Sequence, residues 1–153
     1  KSAFALCCRG RTYQQLGRFE EALTDFNAVL ELEPKNALAL CCRGDTYQHL
    51  GKFEEPLMDF NAALELEPKS AFALCWRGET YRQLGKFEEA LADYNAALKL
   101  APTDADALRG RGEAYRHLGK FEEALTDSNA ALELEPKNAF ALQGRGEIYR
   151  HLG

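Results

Sequence analysis

The sequence predicts an all-α fold of stacked antiparallel helix pairs, and three observations lead to this prediction. Proline recurs every 34 residues, at Pro34, Pro68, Pro102 and Pro136. Two series of glycines keep the same period, one starting at Gly10 and one at Gly17. Between them the apolar residues are spaced by three and four, as on one face of a helix. A period of this size indicates stacked supersecondary units.

The first helix of each copy, helix A, is predicted from spacing and from its capping residue. In the third copy Leu74, Gly78, Tyr81 and Leu84 fall at steps of three and four. A residue that can cap the free amides of the first turn stands at each start. These residues are Ser2, Asn36, Ser70, Asp104 and Asn138. The A helices are expected at about residues 2 to 16, 36 to 50, 70 to 84, 104 to 118 and 138 to 152.

The second helix, helix B, follows a glycine turn and begins at about residues 19, 53, 87 and 121. Its Phe-Glu-Glu start places carboxylates at the positive end of the helix dipole. Gly85 ends helix A in the third copy, and Pro102 prevents helix B from continuing. Pro56 stands early in the second B helix, where amides lack intrahelical partners, so we expect it to be tolerated.

This 34-residue unit resembles the tetratricopeptide repeat. The matching residues of the third copy are Leu74, Gly78, Tyr81, Ala90, Tyr94, Ala97 and Pro102. The resemblance implies a right-handed α-solenoid. It covers the chain as one array, with copies at about 1–34, 35–68, 69–102 and 103–136 and a half copy at 137–153. We expect this segment to be part of a larger protein.

Composition and net charge argue against some classes of partner. The chain is 46% hydrophobic and 28% charged, which is typical of a folded domain. A net charge of −5 argues against a nucleic-acid partner, which is usually met by a basic face. No apolar run is long enough to suggest a membrane partner. The five cysteines include two adjacent pairs that are poorly placed for disulfides, so we expect a reducing, cytoplasmic compartment.

Arginine precedes each glycine of the first series, where the family pattern has an apolar residue. An aspartate follows 16 residues later in helix B, as in Arg77 and Asp93. We expect these residues to form a ladder of ion pairs, with the arginine stems covering the core. The alternative is an anion-binding stripe. The glycine at position 10 is expected to allow close approach of helix B, with Ala22 opposite it and with Tyr13 and Phe26 filling the space beside the contact.

The resemblance also implies where a partner would bind, because A helices line the concave groove in this family. The candidate groove residues are Cys7, Cys8, Arg11, Gln14, Cys41, Cys42, Asp45, His49, Cys75, Trp76, Glu79, Arg82, Arg109, Glu113 and Arg116. The first half of this set is rich in thiols and the second half is charged. Trp76 is the single tryptophan, and exposed tryptophan is enriched in binding hot spots.

One well-known ligand class of the family is not implied. The chaperone-binding branch holds a peptide's carboxylates with lysine, asparagine and arginine, whereas the corresponding residues here include Cys7, Arg11, Cys42 and Trp76. Three acidic residues instead stand three positions before an arginine, and we expect local pairs. These pairs are Glu79 with Arg82, Glu113 with Arg116 and Glu147 with Arg150.

The sequence contains no strong pattern for a metal site or an active site. Cys7, Cys41 and Cys75 would stack on neighbouring helices near His49, but zinc needs four ligands at about 2.0–2.3 Å while packed helices lie about 8–10 Å apart. We therefore expect no metal and no cofactor. No phosphate-binding loop or nucleophile with a paired base is recognisable, so we expect no enzyme activity.

The sequence as a whole predicts a scaffold that binds a peptide or helix of a partner protein in its groove. The alternative is a structural spacer, or an element that self-associates end to end with the groove empty.

Overall fold

The computed structural model describes residues 2–153, which form nine α-helices joined by short turns and no β-strand. The helices are α1 (Ala3–Gln15), α2 (Phe19–Leu32), α3 (Ala37–His49), α4 (Glu54–Leu66), α5 (Ala71–Gln83), α6 (Phe87–Leu100), α7 (Ala105–His117), α8 (Phe121–Leu134) and α9 (Ala139–Leu152). The predicted A helices are the odd-numbered ones and the predicted B helices are the even-numbered ones. The all-α class and its helix pairs are therefore confirmed.

Each A helix begins at the predicted cap. Ser2 Oγ accepts a hydrogen bond from the Ala5 amide at 3.1 Å, and Asn36 Oδ1 accepts one from the Ala39 amide at 2.9 Å. Ser70, Asp104 and Asn138 cap α5, α7 and α9 in the same way. These bonds satisfy amides that have no partner within the helix.

The turn from helix A to helix B depends on a glycine in the left-handed region. Gly51 has a φ of 75°, and the next amide, of Lys52, donates to the Tyr47 carbonyl at 3.0 Å. This closure terminates α3 and requires a backbone conformation that other residues adopt at a cost. The same turn follows α1, α5 and α7.

Pro56 is tolerated in α4, as predicted, and it shortens the helix by one residue. In the other copies the equivalent amide donates to the carbonyl four residues earlier, for example Ala22 to Arg18 at 3.1 Å and Ala90 to Lys86 at 3.0 Å. Proline has no amide hydrogen. As a result α4 begins at Glu54, whereas the other B helices begin at the phenylalanine.

The chain divides into two compact units, one ending at Trp76 and one beginning at Arg77. In the first unit α1 to α4 pack in sequence, each on the next, and part of the core consists of Leu6, Cys7, Ala22, Phe26, Val29, Ala39 and Cys42. In the second unit α6 to α9 pack in the same order. Alternating helices also touch, α1 with α3 and α7 with α9, so A helices lie side by side within each unit.

The predicted arginine–aspartate ladder is present in all four complete copies. Arg9 donates to both carboxylate oxygens of Asp25 at 2.7 Å, and Arg111 does the same with Asp127 at 2.7 and 2.8 Å. Arg43 with Asp59 and Arg77 with Asp93 complete the series. The four aspartates are buried. Paired in this way, the arginines are part of the packing between helices A and B rather than a stripe open to anions.

The atoms nearest to Gly10 belong to Phe26, which was expected beside the glycine, rather than to Ala22. An added Cβ at Gly10 would lie 2.8 Å from Cε1 of Phe26, so the aromatic ring of helix B fills the space over the glycine. Gly44 and Gly78 are covered in the same way by Phe60 and Tyr94. In the fourth copy, which has Ser128 in place of the ring, the atoms nearest to a Cβ added at Gly112 include the Ala124 oxygen of helix B at 3.4 Å.

Candidate functional site

Polar side chains near the ends of the A helices hold neighbouring A helices in register. In the first unit Gln14 of α1 donates to three acceptors on α3. These are the Cys42 carbonyl and Asp45 Oδ2, each at 3.1 Å, and Thr46 Oγ1 at 2.8 Å. Gln48 makes the equivalent contact with the Trp76 carbonyl at 3.4 Å. These hydrogen bonds fix the relative position of the A helices whose side chains line the site.

The first unit has a cavity of about 440 Å³ on its A helices, which we call the apolar pocket. It is lined by Arg11, Gln14, Gln15, Phe19, Leu38, Cys42, Asp45, His49, Phe72 and Trp76. Leu38 and Phe72 are each 50% exposed, which leaves both side chains available for contact. Trp76 packs edge-on against Phe72, with ring centroids 5.7 Å apart.

His49 is fixed at the edge of the apolar pocket. Its ring stacks on Phe19 with centroids 4.9 Å apart, and its Nδ1 lies 2.9 Å from the Asp45 carbonyl. Because a carbonyl only accepts, this contact assigns the Nδ1 proton to the bond. His117 and His151 repeat the arrangement on Phe87 and Phe121. The histidine therefore helps to join an A helix to the preceding B helix.

Asp45 is the acidic group of the apolar pocket. Burial raises the pKa of its carboxyl, and the hydrogen bond from Gln14 acts in the opposite direction by favouring the ionised form. Its Oδ1 lies 3.3 Å from His49 Nδ1. Oδ2 of the carboxylate thus accepts from Gln14, whereas Oδ1 is buried without a hydrogen-bond donor, and the accessible lining of the pocket is largely aromatic and aliphatic.

The second unit has a cavity of about 460 Å³, which we call the charged pocket. Its lining consists of Glu79, Arg82, Arg109, Glu113, Arg116, Phe140, Gln143, Gly144 and Glu147. Three of these side chains are acidic and three are basic, so the pocket is close to neutral but strongly polar.

Ion pairs organise the charged pocket. Arg116 Nη2 lies 2.8 Å from Glu113 Oε2, and its Nη1 lies 2.9 Å from Glu147 Oε2 on the next A helix. Arg82 donates to both oxygens of Glu79, at 3.1 and 2.5 Å. The local pairs predicted for Glu79 and Glu113 are confirmed.

The predicted partner of Glu147 needs correction. Instead of Arg150 on its own helix, Glu147 pairs with Arg116 of α7. The two residues are 31 positions apart, as are Gln14 and Asp45, so the same pair of positions connects neighbouring A helices in both units. Gly144 permits this arrangement, because an added Cβ there would lie 2.6 Å from Glu113 Oε1.

Arg109 is held more loosely than the other arginines of the charged pocket. Its guanidinium is 3.9 Å from Asp106, and it lies over the ring of Phe140 at 5.8 Å from the centroid. Phe140 is 72% exposed. The mouth of the charged pocket therefore presents a cation above an open aromatic face.

The structure brings eleven of the fifteen predicted site residues into the two pockets. Arg11, Gln14, Cys42, Asp45, His49 and Trp76 line the apolar pocket; Glu79, Arg82, Arg109, Glu113 and Arg116 line the charged one. Cys7, Cys8, Cys41 and Cys75 line neither pocket.

The expectation of a thiol-lined groove fails for most of the cysteines. Cys7, Cys41 and Cys42 are buried and packed against neighbouring helices, and only Cys8 is exposed. Burial raises the pKa of Cys41 to about 11 and that of Cys42 to about 12. Thiols of this kind act as small apolar side chains.

Four aromatic or aliphatic lining residues were missed from the sequence, namely Phe19, Leu38, Phe72 and Phe140. The last three occupy one position of helix A, two residues after the cap, where the fourth copy has Asp106. A position that accepts phenylalanine, leucine and aspartate in equivalent copies is not a core position. That variation was the available signal.

Neither a metal site nor a membrane span is found in the part of the chain that the structure describes. No group of three or more His, Cys, Asp and Glu side chains within residues 2–153 is arranged to hold a metal ion. Among the helices of that same stretch, none has both the length and the apolar character that crossing a bilayer requires.

Several solved structures are similar to this chain in fold. MamA (41-end) from Desulfovibrio magneticus RS-1 is 23% identical, with a TM-score of 0.86 over 97% of this chain and 84% of its own. A thermophilic TPR protein of Thermus thermophilus is 24% identical, with a TM-score of 0.84 over 99% of this chain and 84% of its own. At these identities the likeness shows the fold.

A third structure has higher identity. The first TPR of Spaghetti (RPAP3), solved bound to the HSP90 peptide SRMEEVD, is 32% identical, with a TM-score of 0.74 over 77% of this chain and 94% of its own. No curated protein gives a significant sequence match.

Family models match along the chain. A model described as TPR repeat matches residues 10–51 and 78–116, more than half of the sequence. Models described as tetratricopeptide repeat match residues 38–70, 60–92 and 105–138. The helix pairs, their 34-residue period and these matches agree, and the chain belongs to the tetratricopeptide repeat family.

Proposed function

We propose that this chain is a non-catalytic protein-interaction module and that its A helices bind a peptide or helix of a partner protein. The observation that carries this proposal is the apolar pocket. Leu38, Phe72 and Trp76 line one cavity there, and the first two are half exposed. These side chains form one contiguous apolar surface, and a ligand that covered it would remove that surface from water.

The free energy gained by covering these side chains is large enough for them to anchor a ligand. Burying a Phe or Leu side chain completely is worth about 1.5–3 kcal/mol, so covering two half-exposed ones contributes about 2 kcal/mol in total. Tryptophan adds a rigid surface of the kind that dominates interface energies. We propose that an aromatic or aliphatic side chain of the partner enters the apolar pocket, and that polar groups of a partner meet the charged pocket.

The relative with the bound HSP90 peptide supports a peptide ligand as a class. The chemistry of the pocket in this chain favours a peptide with an apolar anchor, because Leu38, Phe72 and Trp76 offer apolar contact and Arg11 is the one arginine in the lining. We also propose a reducing compartment, in keeping with five free cysteines of which three are buried.

The alternative is end-to-end self-association. We favour the binding module over this assembly because Leu38, Phe72 and Trp76 together line one cavity on the A helices.

A peptide-display selection tests the proposal. The parent chain and a Trp76→Ala/Phe72→Ala variant are immobilised in reducing buffer, and peptides recovered by each are compared. Met58→Ala is the matched control, because Met58 is 72% exposed but lies on a B helix. We expect apolar-anchored peptides from the parent and the control, and loss of those peptides from the double variant.

Equal recovery by all three proteins would contradict the proposed site. Light scattering of the same proteins at increasing concentration tests the alternative. A size that grows with concentration, together with an empty selection, would favour self-association.

A further inference from the structure

We propose that a cavity between α6 and α7 is a further binding site, which accepts an anionic side chain of a partner peptide. The cavity has a volume of about 430 Å³, which is within the range of small-ligand sites. It is lined by Asn95, Leu98, Lys99, Pro102, Leu108 and Arg111. The apolar pocket and the charged pocket share none of these residues, so the site is separate from the proposed peptide groove and goes beyond it.

The described residues that line this cavity offer hydrogen-bond donors and include no acidic side chain. Arg111 has five N–H groups, of which Nε and Nη2 donate to Asp127 at 2.7 and 2.8 Å and Nη1 donates to Asn95 Oδ1 at 3.0 Å. Three of the five are therefore used, and two are left for a ligand. Because Asn95 accepts through its oxygen, its amide NH₂ group is also left to donate. A ligand that brings acceptor oxygens suits this lining.

Lys99 gives the cavity a net positive charge. The guanidinium of Arg111 is already neutralised by Asp127, which is 3% exposed. Lys99 is exposed in the last turn of α6, and within residues 2–153 no carboxylate forms an ion pair with it. The nearest acidic residue along the chain, Asp104, instead caps the first turn of α7. The ammonium group is thus available to an anion from outside the chain.

The other copies show that lysine is not required here by the fold. Their equivalent residues are all glutamate, namely Glu31, Glu65 and Glu133. The surrounding contact is unchanged, because Arg43 donates to Asn27 at 3.0 Å just as Arg111 donates to Asn95. A helix dipole favours a cation in the last turn, but three B helices keep an acidic residue at this position. Lys99 therefore reverses the charge of one lining position and leaves the rest of the site as it is.

The shape of the cavity indicates which part of a peptide it takes. Leu98 and Leu108 are 8% and 7% exposed and form the buried part of the lining, whereas Pro102 is exposed. An acidic side chain places its oxygens near the donors while its aliphatic stem contacts the proline. Carboxylate and phosphate oxygens both accept charge-assisted hydrogen bonds from lysine and arginine. The shared chemistry is an anionic oxygen group on a peptide side chain.

An NMR titration of the ¹⁵N-labelled full chain tests the inference. The probes are the end-blocked tripeptides Ala-Glu-Ala and Ala-phosphoserine-Ala, which distinguish a carboxylate from a phosphate group. Ala-Gln-Ala and Ala-Ser-Ala are their uncharged controls. We expect saturable shifts of the Lys99 and Asn95 amide signals with at least one anionic probe, and an affinity lower by about fivefold or more for its uncharged control.

Variants of the chain locate the bound anion. Lys99→Glu restores the residue of the other copies, so it should fold as the parent does while losing the same affinity. Lys86→Glu is the matched control, because it reverses the charge of an exposed lysine that precedes the same helix and lies outside the lining, and it should leave the affinity unchanged.

The variant Trp76→Ala/Phe72→Ala should also bind the anionic probe as the parent does, which keeps this test independent of the apolar pocket. Equal affinity for the charged and uncharged probes would overturn the inference. Binding that is indifferent to Lys99→Glu would overturn it too, because the anion would then lie elsewhere, for example at Arg109 in the charged pocket.

Discussion

Arg43 and Asp59 form a bidentate ion pair that joins α3 to α4, with Nε to Oδ2 at 2.9 Å and Nη2 to Oδ1 at 2.6 Å. Asp59 is only 4% exposed. Burial raises the pKa of this carboxyl, and the hydrogen bonds from Arg43 do not fully compensate. The pair therefore fixes the geometry of the repeat more than it adds net stability.

Replacing only one residue of the Arg43–Asp59 pair should lower the free energy of unfolding far more than replacing both. We expect Arg43→Met to lower the free energy of unfolding by about 3 kcal/mol, because a buried carboxylate loses its guanidinium. The double variant Arg43→Met/Asp59→Leu should return to within about 1 kcal/mol of the parent. Urea denaturation of the two variants measures both values.

Arg145→Met is the control for that experiment, because Arg145 contacts Asn129 and no carboxylate within the described residues. It should change the free energy of unfolding by less than about 0.5 kcal/mol. If Arg43→Met were as mild as this control, the ladder would contribute little to the packing of helices A and B.

Two glycines in equivalent positions should respond to alanine with opposite signs. At Gly44 the new Cβ would lie 2.8 Å from Phe60 Cε1, so we expect Gly44→Ala to destabilise the chain by about 1–3 kcal/mol. At Gly146 nothing lies within 4 Å, so Gly146→Ala should stabilise α9 by about 0.5–1 kcal/mol. Thermal unfolding of both variants measures the two changes in Tm. Shifts in the same direction would contradict the contact of the Phe60 ring with Gly44.

The helices, caps and arginine–aspartate pairs could be predicted from the sequence because they depend on local chemistry and on the fixed period. Pro102, Gly85 and Ser70, for example, each act on their own helix. The pockets were only partly predictable. A phenylalanine such as Phe72 is apolar whether it lies in the core or on the surface, so the sequence does not reveal which. Its exposure depends on how α5 packs.

The pairing of Arg116 with Glu147 likewise depends on packing that the sequence does not reveal. Two good partners for Glu147 were available on the sequence, Arg150 on its own helix and Arg116 on α7. The choice depends on the offset between neighbouring A helices. That offset is set by packing, and the period alone does not reveal it.

Thiol reactivity should divide the cysteines by burial. At pH 8 a thiol with a pKa of about 11, such as Cys41, is ionised in about one molecule per thousand, and the thiolate is the reactive form. We expect a disulfide reagent to modify the exposed Cys8 at least a hundredfold faster than Cys41 or Cys42 in the native chain. Mass spectrometry of labelled peptides measures the rates.

Cys8→Ser should abolish the fast phase, and urea should bring the remaining thiols to a common rate. Fast modification of Cys41 in the native chain would mean that α3 does not bury this residue as described.

The same two buried thiols should make stability depend on alkaline pH. Their pKa values in the fold are about 11 and about 12, against 9.0 for an unperturbed thiol. Above pH 9 the unfolded chain releases these protons while the folded chain retains them, so the free energy of unfolding falls as pH rises. Because the side chains are not completely enclosed, we expect the two thiols together to account for a loss of about 1–2 kcal/mol on going from pH 8.5 to 10.

A Cys41→Ala/Cys42→Ala variant isolates this contribution from the titration of lysine and tyrosine, which it leaves in place. Its stability at pH 8.5 should be lower than the parent's because buried atoms are removed, but its decline towards pH 10 should be shallower. Cys8→Ala, at an exposed position, should decline as steeply as the parent. If the double variant lost as much stability as the parent over this range, the two thiols would have to ionise equally easily in the folded and unfolded chains, which is incompatible with their burial between α3 and its neighbours.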